Sequence, residues 1–578
     1  MNKTSRIDRF KAWFQSTNDH PACKNWRTNS KEARSFYDGD QHSAADRAEL
    51  DERGQPIVTV NKIFAKINNL KGAQRLVRRR VGAKPRTVQD VKAASSITDL
   101  FRYIDYRADY GQEESLAFDD GIVEGIGWLE AYVKEDELGQ LEIDIDNEEP
   151  QRIRIDPLSR RYDLSDARFV CRDKWIDLDE AIELFPEKRM ILESYVETAD
   201  STSPNVVRHG PLDDYDMIEP TGSISYVDPL RRRVRLVEMW YREFQDVMWS
   251  GFKHIPELAP SAFSEKEQMA QLGISKTRQR VVRTGIFCGD IELSDILTPY
   301  NNKLNINRFP FFPFFCFRKK NGEPYGYVGQ SIDVQREINK RRSKALHILN
   351  TVQIIADANA VEDIEDLREE AARPDGILLK KAGTELTIER NINLAQSQFN
   401  IMNQSSSDLQ DIIGVFDEAL GKSTNARSGE AIAQRKQSSN QNNLIVLDNL
   451  RRTRLLLWRF VLGLVKQFYT EEQIILVTDE TTGESKPVEL NGVDSNLASA
   501  LVDVVIDELE PNPSAQEEQF MYLVEAAKSG LPIPPDVIIE ASSLRNKDKI
   551  LERMRAQTTQ TALPAQEGVP AAAEGVPQ

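Results

Sequence analysis

The sequence predicts a large α+β protein of several domains. Three observations predict it. The chain has 578 residues, a length that corresponds to roughly three or four domain-sized units. Hydrophobic residues make up 40% and charged residues 29%, so there is enough apolar mass for real cores. The hydrophobic period changes along the chain, from helical spacing to strand alternation and back again.

The charge balance narrows the partners. The formal net charge is −17, with 92 acidic against 75 basic residues. Duplex DNA carries about one negative charge per ~1.7 Å of helix, so a protein that grips it normally has a basic surplus. Any contact of this chain with DNA is therefore expected to be local, weak or repulsive. The four cysteines, Cys23, Cys171, Cys288 and Cys316, are far apart and form no CxxC pair. With no signal-peptide pattern ahead of them, reduced thiols in a cytosolic setting are expected. The five histidines are equally scattered, and no metal or cofactor is expected. The longest apolar stretch, Leu455 to Phe468, is broken by Arg459 and Lys466 and falls short of the ~20 residues of a membrane span. It reads as a buried helix, with no membrane partner.

The elements follow in order. Met1 to about Gln112 has helical spacing, illustrated by Phe64, Ile67 and Leu70 on one face. Gly125-Ile126-Gly127-Trp128 then opens a β region. Trp128 to Lys134 is a strand, Leu138-Gly139-Gln140 a turn, and Leu141, Ile143 and Ile145 alternate as its partner. Phe169 to Trp175 is another strand, and Leu178–Leu184 and Lys188–Tyr195 are short helices. Ala199 to Tyr226, rich in Ser, Pro, Asp and Gly, is a long surface loop. Arg233–Val247 and Arg278–Leu293 are strand-like and predict a meander. Phe309-Pro310-Phe311-Phe312-Pro313-Phe314-Phe315 must pack against a core or a neighbouring subunit, because each ring buries about 150–250 Å². A stacking platform for bases is the sharper alternative for that segment.

From Ser331 the character changes. Ser331 to Gln353 is a helix with a basic face of Arg336, Lys340, Arg341, Arg342 and Lys344. Ala356 to Arg390 is compact and acidic, with a helix near Ile364–Ala372 and strand-like Gly376–Lys380 and Glu385–Glu389. Asn393 to Phe416 is helical again and Asp417 to Ser428 a loop. Gly429 to about Tyr469 is one long helical pattern spanning ~60 Å. Its middle, Ser438-Ser439-Asn440-Gln441-Asn442-Asn443, is made of poor helix formers and predicts a kink or break. Ile474–Thr478 and Leu501–Ile506 are strands, Ser514–Lys528 is a helix, and two short helices follow up to Gln557. The last twenty residues, with Glu-Gly-Val-Pro twice, predict a disordered tail.

Catalytic motifs fail on their spacing. Gly421-Lys422-Ser423 looks like the end of a phosphate-binding loop, which needs its first glycine five positions earlier so that successive amides curl round the phosphates. That position is Phe416, and the nearest upstream glycine is Gly414. The segment before it also reads as a helix, whereas the motif enters from a strand. Asp156-Pro157 and the carboxylates Asp503, Asp507 and Glu510 offer metal-nuclease ligands, but no suitably spaced lysine or histidine joins them. No GxSxG, HExxH or Gly-rich dinucleotide turn occurs, so no enzyme is expected.

A series of short motifs recurs in order. Phe36-Tyr37-Asp38-Gly39-Asp40-Gln41 is followed by Gly54-Gln55-Pro56, Val60-Asn61-Lys62-Ile63 and Ile67 to Gly72. Next come Gly121 to Trp128, Ile155-Asp156-Pro157 with Ser165-Asp166-Ala167, and Gly322-Glu323-Pro324-Tyr325-Gly326 ahead of a helix with Gln335 and Asn339. This series, over most of residues 30 to 550, resembles the portal proteins of tailed bacteriophages, the head-to-tail connectors, and is closest to the short-tailed type.

The resemblance implies an α+β, multi-domain fold with a wing, a helical stem, a mixed α/β clip and a helical crown. Residues 1–330 and 471–512 would be wing, 331–355 and 393–416 stem helices, and 356–392 the clip. Residues 417–428 would be a loop in a DNA channel, 429–470 the long kinked helix, 513–557 the crown and 558–578 the tail. It implies a homo-oligomeric ring of about twelve subunits at one capsid vertex, whose heterologous contacts close on themselves. Double-stranded DNA would pass Lys422, Ser423, Asn425 and Arg427 in the channel loop, and an overall acidic ring would repel the phosphates and keep the duplex centred. The terminase large subunit, and then tail adaptor proteins, would dock on the clip at Asp363, Glu365, Asp366, Glu369 and Glu370. Scaffolding and major capsid proteins are the other implied partners, in the virion and, during assembly, in the host cytoplasm. The competing classes are another ring-forming connector or minor capsid protein, usually much shorter, and a packaging ATPase or nuclease, which the failed motifs oppose.

Overall fold

A computed structural model describes residues 3–76, 81–137, 139–198, 224–251, 253–256, 269, 272–357, 359–373, 376–389, 392–415, 429–469, 473–478, 485–490, 497, 500–506, 513–529, 534–540 and 542. Four helices open the chain: α1 (Lys3–Asp19), α2 (Pro21–Asp38), α3 (Ala44–Glu52) and α4 (Lys62–Leu76). The stretch expected to be helical throughout is then interrupted by strand β1 (Val81–Pro85), before α5 (Val91–Arg107) and α6 (Tyr110–Glu124). The partner of β1 is Val502–Ile506, antiparallel with Val81 opposite Ile506. A five-residue strand holding Gly, Lys and Pro has no pattern of its own, and a partner that distant supplies the stability its sequence lacks.

Helix α6 ends at Gly125, whose φ of 97° and N–H bond to Gly121 close the last turn in a conformation that favours glycine. Gly127 then brings strand β2 (Ile126–Glu135) so close to α6 that any Cβ would overlap the Ala117 carbonyl. The hairpin of β2 with β3 (Leu141–Glu148) has the expected pairing, Ala131 opposite Ile145.

A second antiparallel sheet holds β4 (Ile153–Ile155), β5 (Phe169–Asp177), β6 (Val227–Asp228), β7 (Arg233–Ser250), β8 (Lys253–Ile255), β9 (Ser275–Cys288) and β10 (Ile291–Leu297). The 18-residue β7 is its spine, pairing β5 along Arg233–Tyr241 and β9 along Val237–Trp249. The expected single run Arg278–Leu293 is a hairpin instead, turning at Gly289, where φ is 56°. Short helices α7 (Leu178–Leu184) and α8 (Arg189–Glu197) stand where expected. The loop expected over Ala199–Tyr226 lies outside the described residues up to 223; from there Ile224–Tyr226 is buried in the core beneath this sheet.

The aromatic run forms strand β11 (Phe311–Phe315), on the edge of the β2–β3 sheet, where Pro313 takes no ladder bond it would have to donate. All five residues are buried. Phe311, Phe312 and Phe315 share a core with Trp128, Trp458 and Phe460, so the protomer's own core settles what the segment packs against. A small ribbon, β12 (Phe317–Arg318) with β13 (Pro324–Tyr325), leads into α9 (Tyr327–Asn350). This helix starts four residues before the expected Ser331, behind extended Gly326, and ends before the expected Gln353.

Gln353–Ala356 is strand β14, paired with β15 (Leu386–Glu389) across α10 (Ile364–Ala372). The expected strand Gly376–Lys380 is absent, because no neighbouring strand offers it a ladder. Helix α11 (Ile392–Ile413) returns antiparallel along α9. The expected loop follows outside the described residues.

Helix α12 (Gly429–Phe468) runs unbroken through Ser438–Asn443. A propensity deficit of a few tenths of a kcal/mol per residue is offset by the C-terminal half of the same helix, where Leu457, Trp458, Phe460, Val461, Leu464 and Val465 are buried. The hairpin β16 (Gln473–Thr478) and β17 (Ser485–Leu490), the strand β18 (Val502–Ile506) paired with β1, and the helices α13 (Pro513–Lys528) and α14 (Pro535–Glu540) close the described chain. The second helix expected before Gln557 and the tail lie outside the described residues.

Candidate functional site

Of the parts singled out in the sequence, the basic residues of α9 and the acidic residues of α10 lie on the α9–α11 hairpin and its tip. One stripe of α9 is polar yet buried: Ser331, Gln335, Asn339 and Ser343, one every four residues. Such groups cost free energy in a core unless they are hydrogen-bonded, and the segment ahead of α4 supplies the partners. Gln335 Nε2 donates to the Val60 carbonyl at 2.7 Å and the Lys62 amide donates to Gln335 Oε1 at 3.2 Å. The Val60 amide donates to Asn339 Oδ1 at 3.0 Å, and Asn339 Nδ2 donates to Gln41 Oε1 at 2.7 Å. Ser343 Oγ donates to the Pro56 carbonyl at 2.7 Å. Four of the recurring motifs thus meet in one network that straps the N-terminal block to the helix. The sequence signal for it is the four-residue polar spacing within α9, which reading for basic residues passes over.

The five basic residues of α9 divide. Arg336 pairs with Glu32 and, at 3.3 Å, with Asp333. Arg341 bonds Glu337 at 3.0 Å and Gln398 of α11 at 3.1 Å, while the Arg342 guanidinium lies 5.4 Å from the Phe399 ring centre. Lys340 and Lys344 are exposed. Helix α11 carries no Lys or Arg, and its exposed polar residues include Asn393, Gln396, Asn400, Asn403, Gln404 and Ser407, joined by the carboxylates Asp408 and Asp411. A face of amides and carboxylates without a single cation does not attract phosphates.

At the tip of the hairpin, Asp363 caps α10 by accepting from the Glu365 amide at 2.8 Å. Glu370 pairs with Arg373 at 2.8 Å and accepts from the Ile377 amide, while Glu365, Asp366 and Glu369 point to solvent. The tip is also unusually apolar on the outside: Ile364 and Ile377 are each 77% exposed and Leu379 80%. Lys422, Ser423, Asn425 and Arg427 lie outside the described residues.

The carboxylates considered as metal ligands have other uses. Burial pushes the Asp156 carboxyl up, but bonds from Arg168 and from the Arg168 and Leu158 amides outweigh it and hold the group below the usual carboxylate range. Asp503 is held down by its exposed pair with Arg86, whose Nε lies 2.9 Å away. Asp507 and Glu510 lie outside the described residues. Among the described residues no group of three His, Cys, Asp or Glu side chains is arranged to hold a metal, and no helix is long and apolar enough to cross a membrane.

An α+β chain that carries a strapped helical hairpin with an acidic, apolar-surfaced tip is built as a structural subunit of a larger assembly, the class in which phage portals fall. Over residues 11–578 the chain matches the Phage P22-like portal protein family, and it belongs to that family. It is similar to the portal protein of Helicobacter pylori bacteriophage KHP30, with 20% identity over 529 residues that cover 90% of this chain and 77% of the relative. Its function is that of a portal protein: a ring-forming component of the phage capsid, at the vertex through which viral DNA is packaged and ejected. The family is structural, not one of enzymes.

Proposed function

We propose that α9 and α11 form the stem of this portal, that residues 356–392 form its clip, and that residues 417–428 project into the DNA channel. Residues 1–330 and 471–512 then serve as the wing, the long helix as the subunit core and 513–557 as the crown. The observation that carries this reading is the antiparallel pair α9–α11 with the acidic β14–α10–β15 module at its far end. Repeated about twelve times around a ring, that module presents a girdle of carboxylates and exposed isoleucines and leucines to whatever docks there. The terminase large subunit and later the tail adaptors are the partners it suits, with scaffolding and major capsid proteins meeting other surfaces during assembly in the host cytoplasm.

The outer face of α11, free of cations, and the net charge of −17 support a conduit in which duplex DNA slides with few attachments. Lys422 and Arg427 would make transient phosphate contacts. The chain itself would hydrolyse no nucleotide; the motor on the clip supplies the energy. Electron microscopy of the assembled protein, joined to an in vitro packaging assay, tests the reading. Rings with a central hole, and packaging that falls in Lys422→Ala/Arg427→Ala rings of normal shape, are the expected result. A persistent monomer, or packaging and retention untouched by that variant, overturns it.

A further inference from the structure

Two motifs from the sequence remain unexplained by the stem and channel: Ile155-Asp156-Pro157 with Ser165-Asp166-Ala167, and the turn at Gly322. In the fold they close on each other. The Arg318 guanidinium sits between them and donates to the carbonyls of Ser159 (2.7 Å), Arg161 (2.9 Å) and Gly322 (2.9 Å). Arg160 Nη1 donates to the Pro157 and Ser159 carbonyls at 2.7 and 2.9 Å. Asp166 accepts from Ser159 Oγ and from the amides of Arg160 and Arg161, and Asp163 accepts from the Ser165 amide, so both exposed acids of the loop are engaged in holding it. Gly322, at φ 91°, leaves room where a Cβ would run into Arg160. Arg452 of α12 extends the cluster: its guanidinium lies 5.4 Å from the Tyr162 ring centre, and that ring meets Phe315 edge-on.

The result is a surface on which four exposed cations outnumber the two exposed acids of the loop, Asp163 and Asp166. Arg160, Arg161, Lys320 and Arg452 are exposed, and none has a carboxylate within ion-pair distance among the described residues. Arg318 behind them likewise has no ion pair: its partners are the three carbonyls and the Phe315 ring, 4.5 Å away. Burial, only partly offset by Asp166, lowers its guanidinium below the ordinary value, and the like charge of Arg160 adds to this. Local charge of this sign is out of keeping with a chain of net charge −17, and cations held in place by neutral partners without an ion pair are suited to an external anion.

We propose that Arg160, Arg161, Lys320 and Arg452 form a second DNA-contact surface, separate from the channel loop, that takes the phosphate backbone of duplex DNA. This rests on the reading that DNA is the cargo of the ring, and favours DNA over an acidic protein because cations spread over three segments match a repeating polyanion.

The test uses the full-length assembled protein and a fluorescent 30-base-pair duplex titrated across a salt series. Arg161→Ala/Lys320→Ala is expected to flatten the slope of log K against log salt by about two, roughly one for each phosphate that is no longer neutralised. The charge-matched control Lys84→Ala/Lys174→Ala, exposed residues outside the cluster, is expected to keep the wild-type slope. A melting temperature equal to wild type checks folding, and Arg161→Gln/Lys320→Gln provides a second variant of closer size. An unchanged slope in both variants overturns the proposal. So does displacement of the duplex by polyglutamate at equal charge concentration, which would assign the surface to an acidic protein. Failure of Lys422→Ala/Arg427→Ala to affect packaging would sink the channel loop and leave this slope untouched, so the two readings fail separately.

Discussion

The sheet region and the tip of the helical hairpin use their apolar residues in opposite ways. Around β11 and α12, Phe314, Phe315, Trp128, Trp458 and Phe460 are all buried to within 1%. At the tip, residues 351–390 bury little beyond Ala360, Leu367 and Ala371, and Ile364, Ile377 and Leu379 are left in water. The first region is stable through its own packing. The second keeps its shape through local bonds, such as Glu385 N–H to Asp357 and Lys381 N–H to Ala360, and leaves its apolar surface for another molecule.

The largest expected effect breaks the first region. Trp458 packs on Phe101, with ring centres 4.9 Å apart, and edge-on to Tyr110 at 5.4 Å. Trp458→Ala removes this packing from a site that cannot collapse around the gap, at a cost of about 3–5 kcal/mol. Urea unfolding of the protomer is expected to shift by that amount. A change under about 1 kcal/mol would mean that α12 is not the centre of the core.

What the sequence showed of this contrast follows from where each signal resides. Phe309 to Phe315 was legible as buried because seven residues with five rings have nowhere else to go. Ile364–Ala372 was legible because Asp363 caps it and its spacing is helical. Gly376–Lys380 misled for the same local reason: Ile377, Leu378 and Leu379 favour a strand, but a strand needs a ladder, and the protomer provides none. Val81–Pro85 failed the other way, since its strand exists only through Val502–Ile506. At the site, the α9–α11 pair could be read from periodicity, whereas the strap from Pro56 to Lys62 contributes backbone amides and carbonyls, so its mark in the sequence is confined to the four-residue polar spacing of α9.

A smaller effect sharpens how the sheet region is held. Asp173 is buried between Arg154 and Arg235, which lies at 2.9 Å through Nε. Burial alone would raise its pKa, but the two guanidinium charges outweigh it and bring the carboxyl from the ordinary 3.8 to about 2. A folded pKa below the unfolded one gives stability that is present above about pH 4 and lost as the pH falls towards 2. The loss is about 2 kcal/mol. Asp173→Asn is expected to be less stable at neutral pH and to lose this acid-side slope. An identical slope in wild type and variant between pH 4 and 2 would assign acid sensitivity elsewhere.

The smallest effect on the protomer is expected at the tip, and there the contrast is most exposed to refutation. Ile377→Ser/Leu379→Ser replaces two side chains already in water, so protomer stability should move by no more than about 0.5 kcal/mol. If these side chains are buried when subunits or docking proteins meet them, each contributes about 1.5–3 kcal/mol there instead. Ring assembly, or capture of a docking partner by preformed rings, is then expected to weaken at least tenfold while the melting curve stays in place. Sedimentation across a concentration series reads the first and binding to assembled rings the second. A variant that lowers the melting temperature would show that the tip supports the protomer after all, and one that changes neither assembly nor docking would leave the exposed isoleucine and leucine without a partner to explain them.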